Sequence, residues 1–219
     1  MKRILSMVLC MVLMLSIGVY ANDSAVTEES NAEELKRYGI MQGDPDGNMR
    51  LDDELTRAEA TALLVRLYKF DSSEVAALHR FSDMTQHWAL NDVLTAKKFG
   101  IIDGTSETTF SPDEKITAQE FMKMLVCLLG YKEVAERNAP YPVGYIMQAS
   151  QIGITNSVPL ITDKPLTRGQ AAKLICNSLD IPIMVQKSFG KNNEYMIMDG
   201  KNGVEFESIR TGLENDIEK

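Results

Sequence analysis

Cysteine, tryptophan and histidine are scarce in this chain: its 219 residues include 3, 1 and 2 of them. That scarcity removes whole classes of function. Two histidines with no third ligand do not make a transition-metal site, and nothing suggests a Cys-rich scaffold. Cys10 lies in an N-terminal apolar run, while Cys127 and Cys176 fall in apolar helical stretches and read as buried free thiols. Also missing are a Gly-x-Ser-x-Gly elbow, a His-Glu-x-x-His helix, a phosphate-cradling glycine loop and a Cys–His pair. Carboxylates are plentiful but scattered, with no recognisable acid/base pair. A calcium loop begins at Asp44-Pro45-Asp46-Gly47-Asn48 and then fails, because Met49 and Leu55 stand where its glycine and final glutamate belong. The sequence therefore implies no cofactor and no enzyme.

Positive charge is in deficit as well. The formal net charge is −8, so bulk attraction to nucleic acid or an anionic membrane is excluded. An anionic ligand would have to be caught by local cationic sites. The remaining composition, 44% hydrophobic and 25% charged, is that of a globular protein able to form a core without staples. At the N-terminus, Lys2 and Arg3 precede an apolar run from Ile4 to Val19, and Val19-Tyr20-Ala21 offers a signal-peptidase site. This predicts a signal peptide over 1–21 and export of a chain with net charge of about −10. The competing reading is a retained signal anchor, for which the run is short against the roughly 20 residues of a span.

The rest of the chain is one unit written three times. Tyr38-Gly39-Ile40, Phe99-Gly100-Ile101 and Ile152-Gly153-Ile154 are each followed by a Thr-x-x-Glu/Gln box: Thr56 to Glu59, Thr117 to Glu120 and Thr167 to Gln170. The glycine-to-threonine distance is about 17 residues twice and about 14 in the third copy, a near-fixed period. Each box predicts a helix start, with threonine accepting from the N3 amide and the N3 side chain reaching back to the N-cap amide. Apolar residues then recur at helical spacing: Ala60, Leu63, Leu64, Leu67; Phe121, Met124, Leu125, Leu128; Ala171, Leu174, Ile175, Leu179. A second helix is expected before each glycine, which would supply a left-handed cap. Each unit is then helix, loop, helix, and the units must share a core because one alone would expose its apolar face.

Phe81-Ser82-Asp83-Met84, His87-Trp88-Ala89, Phe99-Gly100-Ile101, Gly104, Phe110-Ser111-Pro112 and Ile116-Thr117 follow a known pattern, and Leu55-Thr56-Arg57-Ala58-Glu59 completes its signature. Over about residues 31–183 the chain resembles the S-layer homology family. The resemblance implies a mainly α fold, a pseudo-threefold cluster of helix–loop–helix repeats. It also implies non-catalytic anchoring at the surface of a Gram-positive-type bacterium, by binding secondary cell-wall polysaccharide in grooves between repeats. The residues that would serve are Arg57, Arg168, Trp88, Asp83, Gly104 and Tyr141. A guanidinium fork suits a carboxylate-bearing, for example pyruvylated, sugar. Arg57 and Arg168 lie in the first helical turn, where free amides and the helix dipole add favourable potential. Both arginines could instead be solvated helix-start residues, and Trp88 could cover the core. The second copy has Ala118 in place of the arginine, and the third has Gly169, Gln170 and, at the loop glycine, Ser157. One or two working grooves are therefore expected rather than three.

The expected organisation is a signal peptide over 1–21, a linker over 22–30, repeats over 31–70, 81–131 and 134–183, and a β-hairpin tail over 184–219. Ile183 to Phe189, Glu194 to Met198 and Val204 to Ile209 read as short strands separated by Gly/Asn turns. Three strands alone are marginal, so the tail either packs on the repeats or opens a longer β-domain. A different class of function is an assembly protein with drifted repeats, favoured by Ala118 at the arginine position, whose β-tail pairs with another surface protein.

Overall fold

A computed structural model describes residues 20–70, 75, 81–188, 193–201 and 203–217. The expected signal peptide and the Gly190–Asn192 turn lie largely outside the described residues.

All three capping boxes form. Thr56, Thr117 and Thr167 are extended N-caps of helices α2 (Arg57–Tyr68), α4 (Ala118–Leu128) and α7 (Arg168–Ser178). The preceding helices are α1 (Tyr20–Arg37), α3 (Leu90–Lys98) and α6 (Val143–Gln151), with a short α5 (Lys132–Asn138) before the last. Gly39, Gly100 and Gly153 follow at φ of 72°, 68° and 92°, the left-handed region that ends a helix without a Cβ penalty.

The capping threonine satisfies one orphan amide per helix, and the next repeat satisfies two more. Arg57 N donates to Glu114 O (2.9 Å) and Ala58 N to Pro112 O (3.0 Å); Ala118 and Gln119 donate to Lys164 O and Thr162 O, and Arg168 and Gly169 to Asp53 O and Leu51 O. One residue before each box, Leu55 N bonds Leu166 O, Ile116 N bonds Leu55 O and Leu166 N bonds Ile116 O, at 3.0, 3.0 and 2.9 Å. These bonds close a ring around the pseudo-threefold axis. Leu55, Ile116 and Leu166 are all fully buried there.

The helices interlock rather than pair within a unit. α1 packs on α7, α3 on α2 and α6 on α4, so each repeat's first helix covers the second helix of the preceding repeat. The sequence periodicity carries through: Leu64, Phe121, Leu125, Leu174 and Ile175 are buried in one continuous core.

Two expectations need correction. The linker over 22–30 is instead helical, because α1 runs unbroken from Tyr20. That stretch contains no glycine or proline to stop a helix, but its Asn22, Asp23, Ser24, Thr27 and Ser30 are weak helix formers, so local propensity gives little sign of the helix. The tail is the expected hairpin, β1 (Met184–Gln186) with β2 (Tyr195–Ile197); the third strand expected over Val204–Ile209 is reduced to an isolated Asp199–Phe206 bridge, and helix α8 (Ile209–Ile217) follows it. Ser208 and Thr211 cap that helix reciprocally, Thr211 N donating to Ser208 Oγ and Ser208 N to Thr211 Oγ1. Ile209 and Leu213 (4% and 2% exposed) then join the main core. Arg210 fixes the segment to the first and third repeats through Glu34 (2.6 Å) and Asp180 (2.6 and 3.0 Å). The tail thus packs on the repeats.

Candidate functional site

The interlocked order means that each groove receives parts from three repeats. Groove A takes Arg57 from the first repeat, the 101–105 loop with Glu120 and Lys123 from the second, and Tyr141 from the third. Groove B takes Arg168 from the third, Gln42, Gly43 and Glu59 from the first, and Trp88 from the second. Arg57 and Arg168 correspond, as do Glu120 and Glu59, and Tyr141 and Trp88. The expected site residues thus divide between two places: Arg57, Gly104 and Tyr141 in groove A, Arg168 and Trp88 in groove B.

Both arginines lie on loop carbonyls in the same manner. Arg57 Nε donates to Phe110 O (3.0 Å) and an NH2 group to Asp103 O (3.5 Å). Arg168 Nε donates to Met49 O (2.9 Å) and NH2 to Gln42 O (3.0 Å). They differ in what remains. Arg57 is buried, stacks 4.8 Å over the Phe110 ring and donates to Glu120 Oε1 at 2.8 Å. Arg168 is only partly buried, and among the described residues it forms no ion pair. Burial lowers its pKa from the ordinary value while Glu59 pulls the other way, an imbalance that an anionic ligand would correct.

Lys123 completes the self-neutralised character of groove A. Its ammonium donates to Asp103 Oδ2 at 2.5 Å and lies 5.3 Å from the Tyr141 ring centroid. The hydrogen bond from Lys123 holds the Asp103 carboxyl below its usual range. Two cations are thereby matched by two anions across a cavity of about 170 Å³. Groove B is larger, about 630 Å³, lined by Arg50, Lys115 and Arg168 and by the carboxylates of Asp44, Asp52, Asp53, Glu54 and Glu59, with an adjoining cavity of about 170 Å³ under Trp88. Asp44 at its rim is held ionised by the amides of Asn48 and Asp46.

Trp88 is 61% exposed and Tyr141 46%, so neither covers the core. Asp83 enters neither groove. Its carboxylate accepts from Phe110 N (3.0 Å) and Ser111 N (2.7 Å), fixing the loop whose Phe110 carbonyl receives Arg57. Asp83 thus positions the loop on which Arg57 rests. Gly104 is glycine for steric reasons, since a Cβ would collide with Ser106 O, Thr109 O and the Phe81 ring. In the third groove, Ala118 offers no guanidinium; the positional counterpart of Trp88 in the first repeat is Thr27.

Glu120 and Lys123 were missed as groove residues. Glu120 read as a cap, and it is one, accepting from Thr117 N through Oε2 (2.9 Å) while Oε1 serves Arg57. Nothing in a linear sequence shows that one carboxylate can do both.

The S-layer homology domain model matches residues 24–61 and 80–122. The middle cell wall protein of Brevibacillus brevis is 27% identical over 90% of this chain and 20% of its own length. A cell surface protein of Thermoanaerobacter kivui is 25% identical over 68% of this chain and 20% of its own. An exoglucanase of Acetivibrio thermocellus is 34% identical over 44% of this chain, but over only 9% of the enzyme. The chain spans about a fifth of the length of the first two relatives. Among the described residues no helix is long and apolar enough to cross a membrane.

Proposed function

We propose, for a chain that belongs to the S-layer homology family through at least its first two repeats, that it acts as a non-catalytic anchor. The protein is a secreted component of the cell wall or S-layer of a Gram-positive-type bacterium. It binds an anionic secondary wall polysaccharide in groove B, with Arg168 on a sugar carboxylate such as a pyruvate ketal and Trp88 against the sugar face.

The observation that carries this reading is the Arg168 guanidinium. It is held by two backbone carbonyls, lacks a carboxylate partner among the described residues, and faces a cavity of sugar size beside an exposed tryptophan. A guanidinium oriented by carbonyls and bonded to no carboxylate can donate its remaining N–H groups to an anionic ligand. Groove A contains the same backbone frame but spends its cations on Glu120 and Asp103.

The rival reading is an assembly protein joined to another surface protein through its tail, and the anchoring of the tail's last helix on the repeats makes it the weaker of the two. The tail's Ile209 and Leu213 are buried in the protein's own core, and Arg210 ties it to Glu34 and Asp180. Co-sedimentation of the exported chain with wall sacculi, native and stripped of secondary polymer, tests the anchor. Binding should vanish on stripping; equal sedimentation with both preparations would refute it.

A further inference from the structure

The chain runs from the first repeat into the second and from the second into the third, but no peptide bond joins the third repeat back to the first. Groove B lies across that unjoined contact. Arg168 reaches Met49 O and Gln42 O through its side chain, and the Arg168 and Gly169 amides donate to Asp53 O and Leu51 O. Every one of these bonds passes from the third repeat to the first. The direction of the guanidinium is therefore only as definite as the seating of one repeat on the other. Partners 126 residues apart also carry a loop-closure cost that sequence neighbours do not.

α1 packs along α7 at this contact. At the groove end the fit is tight, since a Cβ on Gly169 would meet the Glu28 carboxylate. At the other end of α7, an 11-residue helix and so about 16 Å away, Arg210 of α8 bonds across the contact. It donates to Glu34 Oε1 of the first repeat at 2.6 Å and to both oxygens of Asp180 of the third at 2.6 and 3.0 Å. Tyr38 OH of the first repeat lies 3.3 Å from the same guanidinium, and the Arg210 amide donates to Leu179 O of the third at 2.9 Å. The Arg210 and Glu34 side chains are 25% and 22% exposed, so their pair is sheltered from much of the screening that weakens surface ion pairs. Among the described residues neither Glu34 nor Asp180 pairs with another cation.

The other two contacts have no counterpart of this clasp. Five residues before the turn glycine, where the first repeat has Glu34, the second and third have Thr95 and Gln148. At the position of Asp180 the first and second repeats have Lys69 and Gly130. The carboxylate pair thus occurs only at the contact that lacks a covalent link and holds groove B. We propose that Arg210 is a positioning residue for groove B. By clasping Glu34 and Asp180 it seats the first repeat on the third and keeps Arg168 on its two carbonyls, directed at the sugar carboxylate. The inference rests on the anchor reading, and it makes the tail part of the binding apparatus although no tail residue lines the groove.

The test compares Arg210→Ala with Tyr131→Phe in the exported chain. The second variant removes the bond from Tyr131 OH to Pro182 O (2.8 Å), which fastens the start of the tail to the second repeat and lies outside the clasp. One readout is a sedimentation titration with native sacculi. The other is amide hydrogen exchange at three equivalent pairs, Arg168 and Gly169, Arg57 and Ala58, Ala118 and Gln119, each of which bonds across a different contact. In Arg210→Ala, exchange at Arg168 and Gly169 should quicken at least about tenfold relative to the other two pairs. Affinity should fall about threefold, because only molecules with the groove assembled bind. Glu34→Gln, which keeps an acceptor for Arg210, should move both readouts the same way by a smaller factor. Tyr131→Phe should leave binding and the contrast between the pairs as in wild type. Exchange that quickens equally at all three pairs, or wild-type affinity in Arg210→Ala, overturns the positioning role and spares the anchor. Failure of folded wild type to bind native sacculi overturns both.

Discussion

Groove A and groove B are built on one backbone plan. Each places an arginine on two loop carbonyls, an N3 glutamate opposite, and an exposed aromatic from the repeat beyond. In groove A the guanidinium is buried and bonded to Glu120, and Lys123 is bonded to Asp103. In groove B the corresponding Glu59 is not within ion-pairing distance of Arg168, and Ala62 takes the place of the lysine. Internal symmetry thus copies geometry without copying charge state. On the proposed reading, a groove whose cations are already matched would contribute stability, and one whose arginine has no bonded carboxylate would contribute binding. That division gives each arginine a separate expected phenotype.

The largest expected effect is on binding. Arg168→Ala should reduce affinity for native sacculi by about 30-fold or more, whereas Arg57→Ala should change it by less than about threefold. Equal losses in a sedimentation titration would show the two grooves to be alike. Stability should reverse the order. Arg57→Ala leaves Glu120 without its partner in a largely buried setting and should cost about 2–4 kcal/mol in urea unfolding. Arg168→Ala forfeits two bonds to carbonyls at a partly exposed site, about 1 kcal/mol.

The aromatic pair should show a smaller contrast. Trp88→Ala is expected to weaken sacculus binding by about five- to tenfold through lost stacking, worth ~1 kcal/mol, with Tyr141→Ala close to wild type. Smallest and most diagnostic is Glu120→Gln. Gln170 already caps α7 in the third repeat, accepting from Thr167 N at 3.1 Å, so the substitution keeps the cap of α4 and removes the charge opposing Arg57. Binding to sacculi should rise by about two- to threefold as groove A acquires an unmatched cation. No gain would mean that Arg57 is too deeply set to reach a ligand.

Much of the fold was legible because it rests on local chemistry with a period. The Thr-x-x-Glu/Gln boxes marked three helix starts, and Gly39, Gly100 and Gly153 marked three helix ends, since a capping side chain and a left-handed glycine act within a few residues. What failed was local chemistry without a period. α1 has few apolar landmarks, and α8 shows, among the described residues, only Ile209 and Leu213 on its buried face, too few to set against the extended look of the tail. Within the site, Arg57 and Arg168 were found together because they occupy one repeat position. Their opposite roles were not, because pairing with Glu120 is a contact across 63 residues of chain.

The sequence by itself determined that this protein is three helical units sharing a core, with a cationic side chain at two of three equivalent helix starts. Caps, glycine turns and apolar spacing are short-range and survive being read in one dimension. Only the tertiary structure decided which arginine is bonded to a carboxylate and which is not. That outcome depends on carboxylates and carbonyls brought to within about 3 Å by the ring of repeats, and electrostatic energy is set by such distances and by burial rather than by separation along the chain.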